Sequence, residues 1–149
     1  NFAAYDYPYE LYKKSMISIV SETLHDTHEG TNLFYSEKTF KPMLSNHPII
    51  LIGQEGMNRA LTDIGYKTYE NYFNLDFDDI EDFWTRQVHQ IQYLEELSER
   101  LNSMTVQQKI NWLLQDVETL QYNKQAVFDQ KHTNNFIKKI VARLYELIN

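Results

Sequence analysis

The chain has 149 residues, 42% of them apolar, with four Gly, three Pro and no Cys, which fits one globular domain or part of a larger protein and excludes a disordered tail, a collagen and a disulfide miniprotein. Fourteen Lys and Arg against 21 Asp and Glu give a formal charge of −7, and so acidic a surface argues against nucleic acid, whose phosphates need a basic face. The longest clean apolar run, Pro48 to Ile52, is far short of the roughly 20 residues of a membrane helix. No transmembrane segment is therefore expected, and the lack of Cys fits a reducing, cytoplasmic setting. The sequence starts at Asn1 with no signal segment after it, and reads as a fragment whose N-terminal domain is missing.

Aromatic residues crowd the start: Phe2, Tyr5, Tyr7, Tyr9 and Tyr12 are expected to pack on an upstream domain or to cover a sheet edge. Met16 to Val20 is a β-branched run leading into Ser21-Glu22-Thr23. Ser36 is a good N-cap for a helix from Glu37 to about Ser45, with Pro42 expected to distort it. Pro48 to Ile52 is a second strand, bounded by Gly53. Continuous rather than alternating apolarity in both runs is the habit of parallel strands covered on two faces. Met57, Ala60, Leu61 and Ile64 then follow helical spacing, Gly65 stands at the C-cap, and Tyr66 to Tyr69 reads as a third strand. All Gly and Pro lie in residues 1–75, so the chain divides into an α/β part, 1–75, and a helical extension, 76–149, packed together as one unit.

From Asp79 the period becomes helical. Ile80, Phe83, Trp84, Val88, Ile91, Leu94, Leu97 and Leu101 form one stripe. Thr105 N-caps a second through Val106, Ile110, Leu113, Leu114, Val117 and Leu120, and a third runs from Phe136 to Ile148. The acidic set Asp76, Asp78, Asp79, Glu81 and Asp82 is read as capping the long helix. The cluster Lys131, Lys138, Lys139 and Arg143 is read as an ordinary solvated face.

A parallel sheet binds ligands beyond the carboxyl ends of its strands. Here those ends deliver Glu22 and Thr23, then Gly53-Gln54-Glu55-Gly56. The helix start at Ser36 presents Glu37 and Lys38, where unpaired N–H groups and the dipole attract an anion, so Lys38 suits a diphosphate and Glu37 a ribose diol. On spacing alone the pair also fits a dipole partner and a solvated charge. Arg59 could reach a phosphate or form a surface salt bridge. The loop His25-Asp26-Thr27-His28-Glu29 has no established zinc spacing and is read as solvated or substrate-facing.

The ordered segments Ser18-Ile19-Val20-Ser21-Glu22-Thr23, Tyr35-Ser36-Glu37-Lys38-Thr39-Phe40-Lys41-Pro42, His47-Pro48-Ile49-Ile50 and Gly65-Tyr66-Lys67-Thr68 resemble the donor-binding signature of GT-B glycosyltransferases of the α-1,3-fucosyltransferase type, including phage and marine-bacterial relatives. The resemblance covers about residues 16–75, with Ser36 and Thr23 standing where the family has Thr and Asn. It implies a Rossmann-like C-terminal half-domain that binds a nucleotide sugar, with Tyr35 near the base, Glu37 on the ribose, Lys38 on the diphosphate and Glu22 near the donor sugar. Thr23, Ser36 and Gly53 would complete the binding site, with Glu22 and Lys38 as its catalytic members. No metal or cofactor is implied, and the acceptor, a glycan or another molecule, would be bound mainly by the missing N-terminal domain. The departures at Ser36 and Thr23 leave the base and sugar open. A non-catalytic nucleotide-binding module or an assembly domain is the alternative.

Overall fold

In a computed structural model of the protein, the described residues are 9–23 and 33–130. The aromatics before Tyr9, the 25–29 loop and the expected last helix lie outside them. The elements are α1 (Tyr9–Tyr12), β1 (Ser18–Ser21), α2 (Glu37–Leu44), β2 (Ile49–Ile52), 3-10 segments at Arg59–Ile64 and Asp76–Asp79, then α3 (Phe83–Ser103), α4 (Val106–Leu114) and α5 (Val117–Phe128).

Strands β1 and β2 pair in parallel, Ser18 opposite Ile49 through Ser21 opposite Ile52, with α2 as the connection. The fold is therefore mixed α/β, as the two uninterrupted apolar runs predict. Ile49, Ile50 and Leu51 are fully buried, each contributing about 1.5–3 kcal/mol of burial. Pro42 lies inside α2 without ending it; lacking an N–H, it leaves only the Lys38 carbonyl without its helical donor.

The expected third strand does not form. Among the described residues the sheet has two strands, and residues 66–69 are irregular. Two asparagines account for this. The Leu51 N–H donates to Asn58 Oδ1 (2.8 Å) and Asn58 Nδ2 donates to the Leu51 carbonyl (2.9 Å), so the outward backbone groups of Leu51 are already paired. Likewise the Lys67 N–H donates to Asn123 Oδ1 (2.8 Å), and Asn123 Nδ2 donates to the Lys67 carbonyl (3.0 Å). A side-chain amide carries the same donor and acceptor as a peptide group, and each here replaces a strand neighbour. The expected helix over 57–64 is a 3-10 segment at Arg59–Ile64, and Gly65 ends it in the left-handed conformation, φ 95°.

Helix α3 starts at Asp82 rather than Asp79. The Asp82 carboxylate accepts from the Thr85 N–H (2.8 Å) and hydroxyl (2.6 Å), and these bonds, the hydroxyl's first, hold its pKa below the usual carboxylate value. The acidic set is therefore divided: Asp82 caps α3, while Asp78 is buried and serves the 57–64 segment. The expected core stripe is met in part: Leu97 is buried, and Ile80, Leu94 and Leu101 pack against the core. Trp84, Val88 and Ile91 are instead 73%, 52% and 57% exposed, while Arg86 and Gln90 turn inward. Arg86 Nη1 donates to the carbonyls of Ile80 (2.5 Å) and Glu81 (3.0 Å), fixing that face of α3 against the preceding turn. The second stripe breaks into α4 and α5, because Asp116 accepts from the Thr119 N–H (3.2 Å) and caps a new helix. Thr105 caps α4 with a full capping box to Gln108.

One core joins both parts. Val20, Phe40, Met43, Ile50 and Met57 share it with Leu97, Leu120 and Val127, and α5 packs directly on α2.

Candidate functional site

The carboxyl end of β1 runs into the start of α2 through Glu22. Its N–H extends the ladder to the Ile52 carbonyl (2.9 Å), and this turns the side chain, 1% exposed, inward. The carboxylate accepts from the Ser36 N–H (2.9 Å), the Ser36 hydroxyl (2.6 Å) and the Thr39 hydroxyl. Ser36 is extended, and its oxygen accepts from the Lys38 N–H (3.2 Å). A buried carboxylate here is stabilised by the positive end of α2 and by these three donors. Glu22, expected beside a donor sugar, is thus directed into the helix start: both oxygens are engaged and the residue holds Ser36 and Thr39 in place. Thr39, fully buried, is a member of this cluster that periodicity alone passes over as an ordinary helix residue.

Glu37 and Lys38 project from the first turn and are exposed. Glu37 lies 4.0 Å from Lys41 Nζ. Lys38 has no carboxylate within salt-bridge distance among the described residues, and it lines an open cleft of about 270 Å³ with Tyr12, Ser18, Ile19, Val20, Lys41 and Pro42. The diphosphate-type residue is therefore on a cavity wall, while Glu37 is beside it but outside that lining. Lys41, three residues after Lys38 and within the same ordered segment, supplies a second cation to the cleft.

Tyr35 is half-buried and its hydroxyl donates to the Met57 carbonyl (2.7 Å). Burial first, then the nearby Asp78, Asp63 and Glu22 carboxylates, push its phenol well above the usual range. The ring can flank a ligand, but its hydroxyl is committed to the backbone. Thr23 is exposed at the end of β1 and Gly53 is buried at the end of β2. Gln54, 1% exposed, accepts from the Phe34 N–H through Oε1 (2.8 Å), while its buried Nε2 has no partner among the described residues. This amide stands at the carboxyl end of β2, a position from which it can donate to a ligand or water. The Gly-Gln-Glu-Gly turn pointed to backbone approach and concealed it.

Behind the site, Asp78 accepts from Asn58 Nδ2 (2.8 Å) and the N–H groups of Asn58 (3.2 Å) and Arg59 (3.0 Å). The Arg59 guanidinium is engaged by Asp79 and Glu70, which directs it away from any phosphate. Below the cleft, His47 Nε2 donates to the Tyr12 carbonyl (2.7 Å) and Nδ1 accepts from the Ser18 hydroxyl (3.0 Å). Among the described residues, no three His, Cys, Asp or Glu side chains converge as a metal site, and no helix is long and apolar enough to cross a membrane.

No protein-family model, curated protein or solved structure matches the chain.

Proposed function

We propose that the chain is the donor-binding half of a glycosyltransferase, one that moves a sugar from a nucleoside diphosphate to an acceptor held by another domain. The observation that carries this reading is Lys38: it stands in the first turn of α2, without a carboxylate partner among the described residues, on the wall of a cleft that also holds Lys41. A diphosphate there meets two ammonium groups, the N–H end of α2 itself being taken by the Glu22 carboxylate, and Lys38 stabilises the charge that develops as the diphosphate departs. Glu37 accepts from the ribose hydroxyls. Glu22 acts one step back, as the residue that positions the helix start. The donor is bound without a metal, and the reaction belongs to the cytoplasm.

Calorimetric titration with UDP, GDP and their sugars tests this reading. One of these nucleotides is expected to bind, and Lys38→Ala to weaken it by about 1.5–3 kcal/mol, the worth of a bond to a charged group. Absence of binding by all of them, or unchanged affinity in Lys38→Ala, removes the donor site. The second reading, an assembly module, draws on the exposed Trp84, Val88 and Ile91, a stripe of the kind that marks protein contacts. It predicts that Trp84→Ser and Ile91→Ser abolish association with a partner while nucleotide binding persists.

A further inference from the structure

The two edges of the sheet differ. On β2 the outward backbone groups of Leu51 are paired with Asn58. On β1 the Ser18 N–H donates to the Pro48 carbonyl (3.0 Å) and the Glu22 N–H to the Ile52 carbonyl (2.9 Å), so even-numbered positions face β2. The N–H and C=O groups of Ile19 and Ser21 therefore point away from the sheet. Neither residue has a hydrogen-bond partner for them among the described residues, and Ile19 is 53% exposed. Residues 18–21 carry no proline, lysine or bulge on this edge, and its length of four residues confines an added strand to the two outward positions.

The space on either side of this edge is shaped as well as open. Toward α3 lies a cavity of about 270 Å³ walled mainly by Met16, Ile17, Ile19, Leu94, Leu97 and Leu101, with Ser98, Asn102 and Lys109 also on its lining. Toward α2 lies the cleft of the same size that contains Lys38 and Lys41. Ile19 lines both, so the edge runs between a mainly apolar trough that holds one cation, Lys109, and a cleft that holds two, Lys38 and Lys41. Successive side chains of a strand point to opposite faces.

We infer that the open edge of β1 receives an added strand from a partner polypeptide, an extended segment in which apolar residues alternate with acidic ones. Its backbone pairs with Ile19 and Ser21, its apolar side chains fill the trough against α3, and its carboxylates face the lysines of α2. Main-chain bonds supply attachment and the two troughs supply selectivity. The inference would survive a failure of nucleotide to bind, since it rests on the backbone of β1 and on the charge of the Lys38–Lys41 cleft; if both readings hold, peptide and donor diphosphate compete for that cleft.

The test is a titration of the whole chain with a synthetic peptide of alternating Val and Glu, and with its Val and Lys counterpart, followed by calorimetry and amide hydrogen exchange. The Glu peptide is expected to bind about ten-fold more tightly than the Lys peptide, and to slow exchange at Ile19 and Ser21. Ile19→Pro removes an outward N–H while leaving the β1–β2 ladder its donors, and is expected to weaken the Glu peptide about ten-fold. Lys41→Glu, a surface change that leaves β1 untouched, is expected to erase the preference between the peptides. The inference is overturned by failure of the Glu peptide to bind at millimolar concentration, by equal affinity for the two peptides, or by Ile19 and Ser21 amides already protected in the free chain. It is also overturned by a dimer of this chain that buries the same amides.

Discussion

The side chain of Asn58 pairs with both backbone groups of a single residue, Leu51, and so closes β2 as a neighbouring strand would. Asn58 is 3% exposed and also donates to Asp78 (2.8 Å). Asn58→Ala leaves the Leu51 N–H and C=O buried without partners, at about 1–3 kcal/mol for each orphaned group. A loss of about 2–4 kcal/mol is expected in urea unfolding. Asn58→Asp should cost more than Asn58→Ala at neutral pH, because it places a second carboxylate against buried Asp78.

Glu22 should behave as a structural residue first. Glu22→Gln keeps the shape but replaces one acceptor oxygen with a donor that faces the Ser36 or Thr39 hydroxyl, and about 2 kcal/mol of stability should be lost. Ser36→Ala removes the cap and one bond to Glu22, with an expected cost of about 1–2 kcal/mol. Full stability in Glu22→Gln would show that the carboxylate is not holding α2.

His47 gives the pH dependence a sign. Burial lowers its pKa below the ordinary value of 6.5, against smaller opposing contributions from the Tyr12 and Ile17 backbone. The unfolded chain therefore takes up the proton at higher pH than the native chain does. The stabilisation is complete above the unfolded value and drains away as pH falls through 6.5 toward the lower native value. Melting curves at pH 7.5 and 5.5 should show a drop in Tm on acidification, smaller in His47→Gln than in the parent chain. An equal drop in both would place the acid-sensitive group elsewhere.

How far the sequence speaks for the fold can be judged at particular residues. Uninterrupted apolarity locates β1 and β2, and local chemistry locates the caps at Ser36, Gly65 and Thr105; the expected covering of both faces holds for β2 but not for β1, whose Ile19 and Ser21 are exposed. The third strand was misread since Tyr66 to Tyr69 has strand composition, while the contacts that displace it come from Asn58 and from Asn123, the latter 56 positions after Lys67. The period of α3 gave a helix, but a period does not tell which stripe meets the core; buried Arg86 decided that. At the candidate site, the motif marked Glu37 and Lys38, whereas the inward turn of Glu22 and the orphaned amide of Gln54 depend on a loop's path and have no sequence pattern of their own.

The grip of Asn123 on Lys67 reaches across the compositional divide near residue 75. Asn123 is fully buried while Lys67 is exposed, and Asn123→Ala is expected to cost about 1–2 kcal/mol, since water can take up part of what the Lys67 groups lose. The measurement of interest is the shape of the transition in calorimetry: a single peak displaced to lower temperature, not two. The glycine-bearing portion and the helical portion are consequently not interchangeable modules. A chimaera spliced at that boundary would inherit one half of a clasp, and would have to bring a matching amide of its own before it could fold.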